Sequence, residues 1–132
     1  MLLVSELMSY DVLTISAEAP LLQAEAEMRL GRIRHLPVLD AKGRLTGLLS
    51  THDLAKALAK TPGNRVVDVM SVRVVSVRED VPAAEAARLM RQKKIGSLPV
   101  LDAKGRLVGV LTESDFLEVA ERALSGKPLR RP

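Results

Sequence analysis

The sequence contains one pattern twice, and this duplication limits the folds that the chain can adopt. Shifting the sequence by 62 residues aligns positions 4–53 with positions 66–115 without a gap, and 22 of the 50 aligned positions are identical. The run LPVLDAKGRL occurs unchanged at Leu36–Leu45 and Leu98–Leu107. Such self-similarity is typical of a duplicated structural unit. The predicted organisation is a first repeat, 1–62, a second repeat, 63–124, and a basic tail, 125–132, that frays from the fold.

Each repeat predicts a strand, a helix, two strands and a final helix, preceded by a short amphipathic segment. The first strand is a brief apolar run. A proline then falls in the first turn of the helix, where a missing backbone N–H costs nothing. The next two strands flank Asp-Ala-Lys-Gly, which predicts an antiparallel hairpin. The leading segments are Val4–Met8 and Val66–Met70, the first strands Val12–Ile15 and Val74–Val77, the prolines Pro20 and Pro82, and the hairpins Leu36–Leu49 and Leu98–Leu111.

The helices have apolar residues at helical spacing, which predicts their buried faces. The helix after the second proline is expected to bury Ala83, Ala86, Ala87 and Met90. The last helix of each repeat begins near Ser50 or Thr112. We expect it to turn inward Leu54, Ala57 and Leu58 in the first repeat, and Phe116, Val119 and Ala120 in the second.

The composition predicts an aliphatic core shared by the two repeats. Apolar residues make up 47% of the 132 residues, and aromatic residues only 2%. A repeat of about 60 residues buries too little surface to be stable alone. We therefore predict an α+β fold with mixed sheets, in which two βαββα repeats pack about a pseudo-twofold axis.

Several classes of protein fit the sequence poorly. No apolar run approaches the roughly 20 residues of a membrane span, and there is no targeting segment, which predicts a soluble, cytoplasmic protein without a membrane partner. The net charge of +4 is mild, and Tyr10 and Phe116 are the only aromatic residues, which argues against nucleic-acid binding. Cysteine is absent, and the chain has two histidines and no recognised catalytic motif. A metal site formed by His35, His52 and Asp53 is conceivable but lacks a recognised spacing. We expect neither catalysis nor a metal.

The order of these features resembles the cystathionine-β-synthase (CBS) domain in the tandem arrangement called a Bateman module. The matching segments of the first repeat are Met8–Ser9, Ile33–Asp40, Gly43–Gly47 and Ser50–Asp53. Those of the second are Met70–Ser71, Ile95–Asp102, Gly105–Gly109 and Thr112–Asp115. The resemblance implies binding of AMP, ADP, ATP or S-adenosylmethionine in clefts between the repeats, with no required cofactor. It also implies a homodimer that regulates another protein, such as a partner enzyme or transporter; a purely structural dimerisation or docking module is the alternative.

The resemblance implies that a Ser/Thr-x-x-Asp motif at the start of each last helix binds ribose. Asp53 and Asp115 would accept hydrogen bonds from the two ribose hydroxyls, with Ser50 and Thr112 nearby on ribose or phosphate. A carboxylate suits this role because its two oxygens match a vicinal diol and charge-assisted hydrogen bonds are strong. The same residues also fit a capping box, in which they satisfy free backbone N–H groups of the helix. Both interpretations stay open.

The resemblance also implies phosphate and adenine contacts that differ between the repeats. Arg34 and His35 precede the second strand at positions that contact phosphate in the family, while their counterparts are Gly96 and Ser97. The first site should therefore prefer more negative charge, unless Arg34 is an ordinary solvated cation. Adenine would lie against Leu13 or Val75 and Ile33 or Ile95, which could equally be core residues. His52 and Ser114 could reach ribose or phosphate.

Overall fold

Both repeats adopt the predicted order of elements in the computed structural model, which describes residues 1–130. The first repeat contains β1 (Ile15–Ser16), α1 (Leu21–Gly31), β2 (His35–Leu39), β3 (Leu45–Ser50) and α2 (Thr51–Lys60). A short helix, α3 (Val66–Val69), leads into the second repeat. The second repeat contains β4 (Val77–Arg78), α4 (Ala83–Lys93), β5 (Ser97–Leu101), β6 (Leu107–Thr112) and α5 (Glu113–Leu124). A 3-10 turn, Val4–Glu6, precedes β1.

Each repeat has a three-stranded mixed sheet, in the order β1-β2-β3 and β4-β5-β6. The first strand is parallel to the second, and the second pairs with the third as an antiparallel hairpin. The hairpin turn ends on Gly43 in the first repeat and Gly105 in the second, with φ of 78° and 79°. Glycine fits this left-handed conformation at no steric cost. The mixed α/β fold predicted from the sequence is confirmed.

The chain forms two compact units whose bounds differ from those of the two sequence repeats. The leading segment of each repeat belongs to the unit of the other repeat. The first-repeat unit is Leu13–Val74, and the second-repeat unit is Met1–Val12 together with the residues from Val75 onward. In the first-repeat unit, the N–H of Val66 donates to the carbonyl of Ala19 at 2.9 Å. In the second-repeat unit, the N–H of Val4 donates to the carbonyl of Val81, also at 2.9 Å. Each unit is therefore completed by the segment that precedes the other repeat in the sequence.

Glycines in β3 and β6 make room for these leading segments. The N–H of Val110 donates to the carbonyl of Ser9 at 3.0 Å, which ties the segment to the edge of β6. A Cβ at Gly109 would lie 2.5 Å from the sulfur of Met8 and 2.9 Å from the carbonyl oxygen of Ser9. Gly47 has the same close approach to Met70. Any other residue at these positions would push the segment away from the strand.

Each unit has its own aliphatic core. The core of the first-repeat unit is formed by β1, α1, β2, β3, α2 and α3, and that of the second-repeat unit by the Val4–Met8 segment, α4, β5 and β6. Leu36, Val38 and Leu49 in the first, and Leu98, Val100 and Leu111 in the second, are completely buried. These six residues come from the hairpins.

Four details of the sequence prediction are wrong. The strands β1 and β4 begin at Ile15 and Val77, three residues late, because each pairs with its neighbour over only two residues. Pro20 and Pro82 are the N-cap residues of α1 and α4, one position before the first turn. Ala120 is exposed, because the inward face of α5 runs through Asp115, Phe116 and Val119.

The tail is the fourth difference. It was expected to fray, but the Arg130 guanidinium donates to the Glu6 carboxylate and, at 2.9 Å, to the carbonyl of Met1. The Arg131–Pro132 end of the predicted tail lies outside the described residues.

Candidate functional site

The predicted site residues of the first repeat gather where β2 begins and β3 runs into α2. We call Leu13, Ile33, Arg34, His35, Ser50, His52 and Asp53 the first cluster. His35 pairs with Ser50 across the β2–β3 ladder. The N–H of Thr51 donates to the carbonyl of Arg34 at 2.9 Å. The hairpin register therefore places the basic residues directly beside the N-terminus of α2.

The Asp53 carboxylate is available at the start of α2. The Ser50 hydroxyl accepts a hydrogen bond from the N–H of Asp53 at 3.1 Å, which caps the helix. Asp53 is half-buried, and no donor within residues 1–130 makes a hydrogen bond to its carboxylate. The capping alternative thus holds for Ser50, while the carboxylate three residues later is left for another partner.

Arg34 gives the first cluster a positive charge, and His35 lies next to it. Burial lowers the pKa of His35, the Arg34 guanidinium lowers it further, and the Asp53 carboxylate partly opposes both. Arg34 is exposed, and within residues 1–130 it forms no ion pair. An anion bound here would meet one guanidinium and the positive end of the α2 helix dipole, an arrangement that favours negative charge.

The apolar members of the first cluster meet at the end of α1. A Cβ at Gly31 would lie 2.5 Å from Cδ1 of Leu13 and 3.7 Å from Cγ1 of Ile33. Leu13 is 46% exposed, which leaves an apolar surface open at the end of α1. Because Leu13 precedes β1, it belongs to a loop and not to the predicted strand.

The second cluster has the same backbone and different side chains. It comprises Val75, Ile95, Gly96, Ser97, Thr112, Ser114 and Asp115. Ser97 pairs with Thr112, and the N–H of Glu113 donates to the carbonyl of Gly96 at 3.1 Å. Val75, which precedes β4, and Ile95 both pack against the core of the second-repeat unit.

Asp115 differs from Asp53 in being buried and already hydrogen-bonded. Its side chain accepts a hydrogen bond from the N–H of Thr112 at 2.8 Å and from the Thr112 hydroxyl at 3.3 Å. Asp115 is only 6% exposed. The capping box proposed as the alternative role of this motif is therefore present in the second repeat.

Glu113 is a feature of the second cluster that sequence reasoning missed. Its carboxylate oxygen Oε1 lies 3.4 Å from where a Cβ of Gly96 would be. The repeat alignment pairs Glu113 with Thr51 and Gly96 with Arg34, so the sequence shows this difference as two separate mismatches. Their spatial contact depends on the hairpin register.

An open groove of about 610 Å³ lies between α4 and α5 of the second-repeat unit. Its lining is mainly apolar, with Met90, Ile95, Phe116 and Leu117, and the charged groups Arg91, Lys94 and Glu113 are at its rim. Leu117 is 70% exposed. We call this the α4–α5 groove.

Two further structural findings concern residues 1–130. In this part of the chain, no three acidic, histidine or cysteine side chains converge closely enough to hold a metal ion, so His35, His52 and Asp53 are not brought together as a ligand set. No helix there is both long enough and apolar enough to cross a membrane.

Comparison with known families assigns the fold. The sequence model of the CBS domain matches residues 4–60 and again 66–122. The chain belongs to the CBS domain family. A CBS domain-containing protein of Dictyostelium discoideum is 35% identical over 139 residues, covering 96% of each chain. The family resemblance seen in the sequence is thus confirmed.

Three solved structures of CBS pairs are similar to this one. CBSX2 of Arabidopsis thaliana, in complex with AMP, is 28% identical with a TM-score of 0.83 and covers 94% of this chain and 99% of its own. The CBS pair of MJ0100, with 5′-methylthioadenosine and S-adenosylmethionine, is 30% identical with a TM-score of 0.80, covering 96% and 98%. The cytosolic domain of the Mg²⁺ channel MgtE, with ATP, is 36% identical with a TM-score of 0.76, covering 86% of this chain and 46% of its own.

Proposed function

We propose that this CBS pair is a regulatory module that binds an adenine nucleotide, AMP, ADP or ATP, and acts on another protein without catalysing a reaction itself. The observation that carries the proposal is the availability of the Asp53 carboxylate. It is partly exposed, accepts no hydrogen bond from the described residues, and stands at a helix N-terminus beside Arg34 and His35. Similar CBS pairs with AMP and with ATP support the class of ligand.

Each part of the nucleotide has a matching group in the first cluster. The Asp53 carboxylate would accept hydrogen bonds from both ribose hydroxyls. The phosphate would lie at the N-terminus of α2, near Ser50, Arg34, His35 and His52. Adenine would pack on the apolar surface of Leu13 and Ile33, since such a base needs a mainly apolar slot. In the second cluster, the corresponding positions are occupied by Asp115, Thr112, Ser114, Gly96, Ser97, Val75 and Ile95.

Isothermal titration calorimetry with AMP, ADP, ATP and S-adenosylmethionine tests the proposal. We expect saturable binding of at least one phosphorylated nucleotide, and a loss of affinity of about 10-fold to 100-fold in Asp53→Asn, because a charge-assisted hydrogen bond is worth roughly 1.5–3 kcal/mol. Glu25→Gln removes a carboxylate from α1, outside the cluster, and should bind like the wild type.

The results separate the proposed ligands. Binding of S-adenosylmethionine alone would favour the second candidate, a sensor of adenosyl compounds, for which the MJ0100 complex is the supporting observation. No heat from any of the four ligands at millimolar concentration would contradict ligand sensing altogether.

We also propose that the protein is a cytoplasmic homodimer. The α4–α5 groove leaves Leu117 and part of Phe116 uncovered, and a second copy of this chain could cover them. Docking without any ligand is the alternative function that this surface favours. The cytosolic location of the similar MgtE domain supports the compartment.

A further inference from the structure

The two clusters have matching backbones but different charges, so the ligands that each could bind can be compared. The carbonyl before β2 or β5 accepts a hydrogen bond from the first residue of the following helix in both repeats. The pairs are Thr51 with Arg34 at 2.9 Å and Glu113 with Gly96 at 3.1 Å. The side chains at these four positions therefore occupy corresponding places relative to the same backbone.

Glu113 brings a carboxylate close to the position from which the Arg34 side chain extends in the first cluster. Gly96 has no side chain, and Oε1 of Glu113 lies 3.4 Å from the place where its Cβ would be. In the first cluster that Cβ begins the side chain of Arg34, and Thr51 has no charge. Arg32 and Lys94, which lie two residues before Arg34 and Gly96, are both basic and have the same backbone conformation. They do not contribute to the charge difference between the clusters. At the four compared positions, the difference is thus two units of charge, one cation lost and one anion gained.

The carboxylate expected to bind ribose is also less available in the second cluster than in the first. Asp115 is 6% exposed and is held by the N–H and hydroxyl of Thr112, whereas Asp53 accepts no hydrogen bond from the described residues. A ribose at the second cluster would have to share Asp115 with this cap, or break it. A phosphate there would in addition face the Glu113 carboxylate, and close like charges strongly oppose binding.

We propose that Glu113 is a specificity-determining residue that excludes phosphate from the second cluster, so that each chain binds one phosphorylated adenine nucleotide, at the first cluster. This inference rests on the proposed function and names the site and ligand class that it uses. An uncharged adenosyl group is not repelled by Glu113, so the exclusion applies to the phosphate and not to the nucleoside.

Calorimetry with ATP and adenosine on matched variants tests this proposal. The wild type should bind one ATP per chain. Glu113→Thr copies the first repeat, and Glu113→Gln removes only the charge. In each variant, the affinity of the second cluster for ATP should rise about 10-fold or more above its wild-type value, so that a second ATP site is measured. The reciprocal variant Thr51→Glu should weaken ATP binding at the first cluster by about 10-fold or more, with adenosine changed less than about 3-fold. Both positions are exposed, so folding should be retained, as circular dichroism would verify.

The outcomes distinguish this inference from the function on which it rests. Two equivalent ATP sites in the wild type would overturn the inference and leave nucleotide sensing intact. So would a Glu113→Gln variant that binds ATP as the wild type does, or a Thr51→Glu variant that loses ATP and adenosine equally. If the wild type binds none of AMP, ADP, ATP and adenosine, the proposed function is contradicted and the inference with it.

Discussion

His35 is a residue of the first cluster whose charge can change near neutral pH. Histidine titrates near pH 6.5 when unperturbed. In the folded protein, burial and the neighbouring Arg34 lower the pKa of His35, and Asp53 only partly offsets them. The folded state therefore holds this imidazole neutral more strongly than the unfolded chain does.

This shift predicts a stability change on the acid side of neutrality. Above the unfolded pKa, His35 is neutral in both states and contributes no pH dependence. As the pH falls from about 6.5 through the lower folded pKa, the unfolded state binds more protons, so the free energy of unfolding decreases. His35→Gln should remove this part of the decrease, measured by guanidinium unfolding between about pH 8 and about pH 5.

The exposed histidine of the same cluster provides the control. His52→Gln leaves His35 in place and should keep the wild-type decrease. A His35→Gln variant with the same pH profile as the wild type would show that this residue is not held neutral by its surroundings.

The Asp40 turn illustrates what a few residues determine by themselves. Asp40 Oδ1 accepts hydrogen bonds from the N–H groups of Lys42 and Arg44, each at 2.9 Å. Asp102 makes the equivalent bonds in the second repeat. The backbone hydrogen bond from Arg44 holds the pKa of Asp40 below its usual value. All these contacts lie within five consecutive residues.

At the scale of elements, this locality explains why the hairpins and helices were predictable. The turn sequence, the glycine with positive φ and the apolar periodicity are each contained in a short stretch, so sequence patterns reveal them. The β1 and β4 strands were placed wrongly because they consist of two paired residues each, and their bounds depend on β2 and β5. The association of each leading segment with the other repeat depends on packing against Gly47 and Gly109, which no local pattern contains.

The starts of α2 and α5 show a limit of predicting site residues from the sequence. Both have the Ser/Thr-x-x-Asp motif, and its alternative roles could not be separated from the sequence. In α2, Ser50 forms the cap and Asp53 remains available; in α5, Asp115 itself closes the cap. Which side chain forms the cap depends on side-chain orientation and burial, so two copies of one motif have different structures.

At the scale of the whole molecule, the exposed apolar surface predicts self-association. A groove with an exposed leucine is a typical feature of protein interfaces. We expect the wild type to sediment as a dimer at roughly 20–50 μM and Leu117→Glu to sediment as a monomer, because a charge at the centre of an apolar contact is costly to bury. Sedimentation velocity measures this directly.

Val72→Glu is the matched control for the dimer, since Val72 is a similarly exposed apolar residue in the first-repeat unit. It should remain dimeric. A monomeric wild type, or a Leu117→Glu variant that still dimerises, would show that the α4–α5 groove is not the interface.

The proposed function requires a nucleotide to bind at the first cluster. Titrations of the ¹⁵N-labelled protein with AMP, ADP and ATP, followed by amide chemical shifts, test this most directly. We predict saturable shifts that include the amides of Arg34, His35, Thr51 and Asp53. Unchanged spectra with all three nucleotides at millimolar concentration, or saturable shifts confined to residues outside this cluster, would contradict nucleotide binding at this site.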